Sequence, residues 1–338
     1  MQETLKAVVN APSQDETMPM LSVRNLSVEF PGMSGRSVKA IHQLDLTIQQ
    51  GEIFGLVGES GAGKTTLARA LMNLPPEPGR ITGGEVRLNG IDLLQLAEGN
   101  LRSMRGRDLS MIVANPRSEL NPLRPVGEQI ATMARVHLGL SRSQAQAKAL
   151  EMLRAVQIPD PERRMKALPH ELSGGMAQRI VIAIALICSP RFVISDDATS
   201  GLDVTVQAQI LSLLRNLSEE RRSAMLFITR DIGVAAHFCD RIGVMFEGQM
   251  LEQASKEDLF LRPRHPYTIM LMAAFSHNET LRRLWWSAAG AEAARPDSQG
   301  CRYAHRCPLA QLRCFSTVPE AREITPGHAI RCHFPVIR

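Results

Sequence analysis

A chain of 338 residues that is 44% hydrophobic can bury a full core, and its length fits one large domain with an appendage or two ordinary domains. The net charge of +5 is small for that length, so the surface reads as ordinarily solvated and no nucleic-acid partner is expected. No apolar run approaches the ~20 residues that a membrane-spanning helix needs, which excludes a spanning segment of that kind.

The first residues, with Glu3, Asp15 and Glu16 and no sustained apolar stretch, read as a flexible lead-in over residues 1–19 rather than a secretory signal. A protein that stays in the cytosol is expected. From Leu21 to Phe30 the apolar residues alternate (Val23, Leu26, Val28, Phe30) as in a strand, and Val38 to Ile48 continues in the same way. Glu52 to Val57 predicts a short strand that ends in a glycine turn, followed by a helix from Lys64 to about Leu74. Pro75, Pro76 and Pro78 stop that helix. Strands are expected at Glu85 to Leu88 and Leu109 to Val113. Val126 to Leu168 has helical periodicity with breaks at Gly139, Pro159 and Pro161. A long helix follows over Ser173 to Ile187, holding the longest apolar run, Ile180 to Cys188. Then come a buried strand at Phe192 to Ser195, a helix at Val204 to Leu217, and strands at Ala224 to Ile228, Ile242 to Phe246 and Met250 to Glu252. Composition changes near Ala254. Strands alternating with helices predict a sheet wrapped by crossover helices.

Gly58-Glu59-Ser60-Gly61-Ala62-Gly63-Lys64-Thr65 has the pattern of a phosphate-binding loop, with Thr66 behind it in the helix. Glycines let the backbone approach phosphates closely, and the N–H groups at the helix start complement their charge. Lys64 is expected to reach the β- and γ-phosphates, and the Thr65 hydroxyl to ligate Mg²⁺. The flanking strand and helix satisfy the context that this motif requires, so a nucleotide such as ATP is the expected ligand.

A second motif narrows the class. Leu172-Ser173-Gly174-Gly175-Met176, followed by Gln178-Arg179, stands before the long helix and resembles the signature sequence of ABC ATPases. A helix start with a serine and exposed glycine amides can donate to a phosphate. Downstream, Phe192-Val193-Ile194-Ser195-Asp196 is a buried strand ending in an acid that can hold the Mg²⁺ shell. Ser200-Gly201-Leu202-Asp203 resembles the loop that crosses the ATPase dimer interface. The resemblance implies an α/β fold, the P-loop ABC ATPase cassette. Its parts are a RecA-like core, an antiparallel β subdomain and an α-helical subdomain. Residues 20–254 would form this nucleotide-binding domain, with the helical subdomain at about 115–172. Residues 255–338 would form a small cysteine-containing extension. In this family two subunits pair head to tail, so Lys64, Thr65 and Asp196 would serve one ATP, and Ser173, Gly174 and Gly175 the other. Phe30 matches the position that stacks on adenine, although a core phenylalanine at a strand end accounts for it almost equally well.

The flanks are similar to the oligopeptide/dipeptide/nickel importer branch: Asn121-Pro122, Val126 to Ile130, Pro169-His170-Glu171, Asp203 to Gln209, Cys239-Asp240-Arg241 and His265-Pro266-Tyr267-Thr268. Membership would imply a second ABC ATPase subunit, two transmembrane permease subunits and, indirectly, an extracytoplasmic solute-binding protein. The chain would then sit peripherally on the cytoplasmic face of the membrane. Peptides are the leading cargo, with nickel chelates, opines or glutathione behind them. A non-transport ABC ATPase remains an alternative, although such proteins carry two fused cassettes or long coiled-coil insertions, which are missing here.

Cys188 and Cys239 sit in apolar helical surroundings, where a reduced thiol is expected. Cys301, Cys307, Cys314 and Cys332 cluster near the C-terminus with spacings C-x5-C, C-x6-C and C-x17-C. Four thiolates can ligate Zn²⁺ or hold an iron–sulfur cluster, and the wide gaps tilt the reading to a 4Fe-4S cluster. Plain reduced cysteines in a packed lobe, or a redox switch, are the other readings.

Several residues depart from the family pattern. Where the family carries a glutamine that touches Mg²⁺ and the attacking water stands Ala114, and the next, usually acidic, position is Asn115. The glutamate that follows the metal-binding aspartate is replaced by Asp197, with Ala198 in place of proline. The histidine that contacts the γ-phosphate is replaced by Arg230. Asp196, Asp197 and Arg230 are therefore the candidate catalytic residues of a site expected to bind ATP but turn it over slowly. A rival reading keeps Asp197 as the base and gives Arg230 the role of an arginine finger.

Overall fold

The computed structural model describes residues 18–32, 37–275 and 299–336, so most of the expected N-terminal lead-in lies outside the described residues. The first strands, β1 (Leu21–Pro31) and β2 (Ser37–Ile48), pair antiparallel with Leu21 opposite Ile48 and Phe30 opposite Val38. Then β3 (Ile53–Val57) leads to helix α1 (Lys64–Leu71), which ends three residues before the expected Leu74 because Asn73 turns left-handed at φ 53°. β4 (Arg80–Leu88) returns along β1 and is followed by the two-residue β5 (Ile91–Asp92). β4 begins at Arg80, before the expected Glu85, and runs through Gly83 and Gly84. A Cβ at Gly84 would lie 2.5 Å from the Leu26 Cα, so it is the close approach of β1 that requires glycine there. These four strands form one sheet in the order β2-β1-β4-β5.

The chain continues through α2 (Glu98–Met104), β6 (Leu109–Ile112) and the short α3 (Pro116–Glu119) to a helical stretch. Here α4 (Val126–Leu138) ends at Gly139 with φ 65°, and Ser141 and Gln144 form a capping box that starts α5 (Arg142–Ala155). A single turn, α6 (Pro161–Arg164), follows the prolines, and α7 (Gly174–Leu186) is capped by Ser173. The remainder runs β7 (Phe192–Asp196), α8 (Val204–Arg221), β8 (Ala224–Ile228), α9 (Ile232–Phe238), β9 (Arg241–Phe246) and β10 (Gln249–Ser255). It closes with α10 (Lys256–Leu261), α11 (Pro266–Phe275), α12 (Leu312–Ser316), β11 (Arg322–Thr325) and β12 (His328–Ile330).

The larger sheet has eight strands in the order β11-β12-β10-β9-β3-β8-β7-β6. β3, β6, β7, β8 and β9 run parallel, and their interior positions alternate between two cores. Val57, Val193, Met225 and Phe227 face one core together with the helices α4, α5 and α7. Phe54, Leu56, Ile194, Leu226 and Ile228 face the other, with α1 and the smaller sheet. Cys239 and Cys188 are buried and free, as their apolar settings imply. A Cβ at Gly55 would come within 2.7 Å of the Cys239 Sγ, so that glycine makes room for the thiol.

The C-terminal extension joins this sheet directly. Glu252 of β10 pairs with Ile330 of β12, and Gln253 with Ala329. The Glu252 side chain is buried and accepts from the backbone N–H groups of Arg264 and His265 at 2.7 and 2.9 Å, and it meets His328 Nε2 at 2.7 Å. Hydrogen bonds to a buried charged group contribute about 1.5–3 kcal/mol each, so these contacts bind the extension firmly to the cassette.

Beside Glu252, burial pushes the His265 imidazole down from 6.5 to about 4, while its Nδ1 accepts the Tyr267 N–H at 3.0 Å. A histidine with a folded pKa below its unfolded value binds fewer protons when folded. Stability contributed by His265 is therefore present above about 6.5 and is lost as pH falls toward about 4. In urea titrations across that range, His265→Asn is expected to show a flatter loss of unfolding free energy than the wild type. Equal slopes in the two proteins would refute neutral burial of this ring.

Candidate functional site

The C-terminal ends of β3, β7 and β8 lie side by side, and the loops that leave them carry most of the singled-out polar residues. Gly58 opens the loop after β3. A Cβ there would sit 2.2 Å from the Met245 carbonyl, so no other residue fits without displacing β9. At the far end Gly63 caps α1 with φ 99°, a conformation that strains any side chain. Ser60 and Gly61 at the crest are exposed, and Ala62 is buried beneath them.

Lys64 is the first residue of α1, and its side chain turns back under the loop. Its Nζ donates to the carbonyls of Gly58 at 2.7 Å and Glu59 at 2.9 Å. Burial lowers the ammonium pKa, and the nearby Asp197 and Asp196 carboxylates oppose that shift. Asp196 ends β7 and is itself buried. Desolvation raises its pKa, and the nearby Thr65 hydroxyl counters in part. A cation and an acid held out of water at the mouth of a glycine loop fit the demands of a phosphate with Mg²⁺. Lys64 would face the phosphate, and Thr65 with Asp196 would face the metal. Thr66 lies half-buried one residue further into α1.

Asp197 follows in a left-handed conformation, φ 52°, with its N–H bonded to the Ile228 carbonyl at 2.9 Å. Its carboxylate is engaged by Arg230, with Nε 3.2 Å from Oδ2, while Arg230 Nη2 donates to the Ser200 hydroxyl at 3.0 Å. Arg230, just beyond β8, therefore bridges two loops. Ala114 and Asn115 follow β6, and the Val113 carbonyl beside them accepts from Gln178 Nε2 of α7 at 3.2 Å. That contact ties the signature helix to the strand next to β7.

Ser173, Gly174, Gly175 and Asp203 gather at a different place. Ser173 caps α7 through the Met176 N–H at 3.3 Å, and Asp203 caps α8 through the Val206 N–H at 2.9 Å. A Cβ at Gly175 would meet Val206 at 2.9 Å, so the two helix starts pack closely. Gly174 borders open space. Among the described residues no hydrogen bond or ion pair joins this exposed pair of helix starts to the Lys64 cluster. Phe30 is half-buried, with its ring against Gly79, as a core edge residue would be.

Cys301, Cys307, Cys314 and Cys332 do line one pocket, with Tyr303, Leu309 and Phe334 among its walls. The expected 4Fe-4S cluster or Zn²⁺ is not supported by this arrangement. Among the described residues, no group of three or more His, Cys, Asp or Glu side chains is placed to hold a metal ion. As free thiols they are held protonated by burial, which pushes Cys307 up to about 12 and Cys332 up to about 11.

Two residues that contact the phosphate loop went unassigned in the sequence. The Tyr267 hydroxyl accepts the Glu59 N–H at 3.1 Å, and Arg306 grips the Glu59 carboxylate with both Nη atoms. Tyr267 lies in the family-like His265-to-Thr268 segment and Arg306 directly precedes Cys307, but no local pattern links either to a loop more than two hundred residues away.

Comparison with known proteins agrees with this geometry. Residues 41–200 match the ABC transporter family, and residues 251–314 match the oligopeptide/dipeptide transporter C-terminal region. A probable peptide ABC transporter ATP-binding protein of Sinorhizobium fredii, y4tR, is 44% identical over 93% of this chain and 94% of its own length. The oligopeptide transport ATP-binding protein OppD of Escherichia coli is 39% identical over 96% of each chain. The dipeptide transport ATP-binding protein DppD of the same organism is 37% identical over 94% of this chain and 98% of its own. Among solved structures, the ATP-binding cassette MJ0796 in a dimeric post-hydrolysis state with ADP and Pi is 27% identical. It covers 70% of this chain and 99% of its own, with a TM-score of 0.63. The chain belongs to the ABC transporter family of ATP-binding proteins, ATPases that work as part of a transporter complex, and carries that family's oligopeptide/dipeptide C-terminal region.

Proposed function

We propose that this chain is the ATP-binding subunit of a peptide importer, in which it binds ATP at its own loop with little turnover and completes a competent site on a second ATPase chain. Peptide cargo is supported by the relatives named for oligopeptide, dipeptide and peptide transport. Two permease subunits would carry the transport path, fed by an extracytoplasmic binding protein, since among the described residues no helix is long and apolar enough to cross a membrane. The chain would then sit peripherally on the cytoplasmic face.

The asymmetry rests on one observation above all. The Asp197 carboxylate, at the position where the family polarises water, is held by Arg230 at 3.2 Å, and Arg230 is anchored a second time on Ser200. Asp197 is also one methylene shorter than the usual glutamate, and Ala114 has no group that could touch a metal or a water. Misplacing a catalytic group by about 1 Å costs ~100-fold, and losing a positioned hydrogen-bond group costs a similar factor. Such losses within one site do not multiply cleanly, but either alone makes the site slow. Phosphate affinity resides in the loop and Lys64, which are intact, so nucleotide binding is kept. The arginine-finger alternative gains little from this geometry, because Nε and Nη2 of Arg230 are already engaged by Asp197 and Ser200.

Reconstitution with the partner ATPase tests the division of labour. Ser173→Arg is expected to stop turnover by the pair, because Ser173 completes the partner's site. The matching serine change in the partner is expected to leave most of it. The opposite pattern would overturn the assignment.

A gain-of-function test addresses the three altered positions. In a complex whose partner loop lysine has been replaced, combining Ala114→Gln, Asp197→Glu and Arg230→His is expected to raise phosphate release about 100-fold or more. Release no faster than with the wild-type chain would show that these positions do not limit the site.

A further inference from the structure

Among the described residues, hydrogen bonds from the extension reach the nucleotide loop at Glu59 and grip it from both sides. Arg306 Nη1 and Nη2 donate to Glu59 Oε2 and Oε1 at 2.9 and 2.8 Å, a two-pronged pairing that fixes the plane of the carboxylate as well as its position. The Glu59 backbone N–H donates to the Tyr267 hydroxyl at 3.1 Å. The Glu59 carbonyl accepts from Lys64 Nζ at 2.9 Å. One residue therefore connects the C-terminal lobe to the ammonium that would face a phosphate.

The gripping side chains are themselves fixed. Tyr267 is fully buried, and the rings of Phe246, Tyr267 and Tyr303 pack on one another with centroids 4.8 to 5.4 Å apart. The Arg306 guanidinium lies over Phe246 at 5.4 Å and Tyr303 at 5.9 Å, which limits its freedom before it meets Glu59. Arg306 closes a single turn, Ala304–Arg306, flanked by Tyr303 and Cys307, which both line the cysteine pocket, so the packing of that pocket sets where the guanidinium stands. By contrast, the Glu59 and Arg306 side chains are each 36% exposed, and a partly exposed ion pair contributes little to the stability of the fold. The pairing is well directed but weakly stabilising, the pattern of a group that positions another.

We propose that Arg306, assisted by Tyr267, is a positioning residue for ATP binding. By pinning Glu59 it holds the loop carbonyls and Lys64 in the arrangement that receives the phosphates, so the extension sets the nucleotide affinity of the cassette. The proposal rests on ATP binding at the Gly58–Thr65 loop. Without the clamp the loop spends less time in its receptive form, and the observed affinity falls by that fraction.

The test measures the Kd of Mg·ATP and the thermal midpoint of the full chain. Arg306→Gln and Glu59→Gln are each expected to raise Kd about tenfold, as a fall of the receptive fraction to about one tenth implies. Their midpoints should stay within about 4 °C of the wild type, as loss of a partly exposed pair predicts. Because both variants break the same contact, the double variant should bind no more weakly than either single one. Arg306→Lys keeps the charge without the two-pronged geometry and should recover part of the loss. Wild-type affinity in Arg306→Gln, additive losses in the double variant, or weakening matched by a large fall in midpoint would each overturn the clamp alone. A wild-type chain that binds no Mg·ATP would overturn the phosphate-site reading, and the clamp would fall with it.

Discussion

An ammonium held out of water needs oxygen atoms around it, and the arrangement around Lys64 exists to supply them. Two loop carbonyls accept its hydrogen bonds, and two carboxylates stand close enough to support its charge. That arrangement forces the loop to curl tightly. The curl in turn requires glycine at Gly58, where the Met245 carbonyl leaves no room for a side chain, and at Gly63, where the backbone is left-handed. Both carboxylates come from the end of β7, one strand removed from β3, so β3, β8 and β7 must run parallel with their C-terminal ends together. A parallel sheet must be covered on both faces, which explains the two cores and the helices on either side. The fold follows from the need to keep one cation and one acid, Asp196, dry and close together.

The same economy explains why the altered positions do not unfold the site. Ala114, Asp197 and Arg230 lie on its rim, in loops after β6, β7 and β8, rather than beneath it. Arg230 is more than half exposed, and its partners Asp197 and Ser200 are loop residues too. An exposed ion pair is worth little to the fold, so its presence at this spot says more about what the site does than about how it stands up. Deep residues, by contrast, match the family pattern: Lys64, Asp196, and Gln178, which ties the signature helix to β6. On the proposed reading, substitution falls on rim positions around the attacking water and the γ-phosphate and spares the buried Lys64 and Asp196.

Local signals made the central elements legible. The strand Ala224–Ile228 is bounded as its apolar run implies, and Gly139 and Ser141 mark the α4–α5 break through backbone and capping chemistry that any reader of the sequence can apply. The loop motif, the signature and Asp196 fell where their flanking elements required. What stayed hidden depended on distant partners. β4 looked shorter than it is, since Gly84 is demanded by the close approach of β1. β11 and β12 are only four and three residues long and gain their pairing from β10. The four cysteines look in sequence like a ligand set, because spacing carries no information about burial. In the fold their pocket is apolar, and burial raises the pKa values of Cys301, Cys307 and Cys332.

The extension is the clearest case of a structure that sequence periodicity cannot reveal. Its boundary, placed where composition changes near Ala254, falls inside β10, and β10 belongs to both parts: one edge bonds β9 of the cassette and the other bonds β12. The buried Glu252 adds bonds to Arg264, His265 and His328 on the extension side. A lobe attached through a shared strand and a buried carboxylate cannot swing freely. Any change in its packing must be felt in β10 and β9, and the Met245 carbonyl of β9 is what closes in on Gly58. The lobe and the phosphate loop are thus linked twice, once through the sheet and once through Glu59. A domain boundary drawn on composition alone would separate two parts of the chain that the hydrogen bonds hold as one.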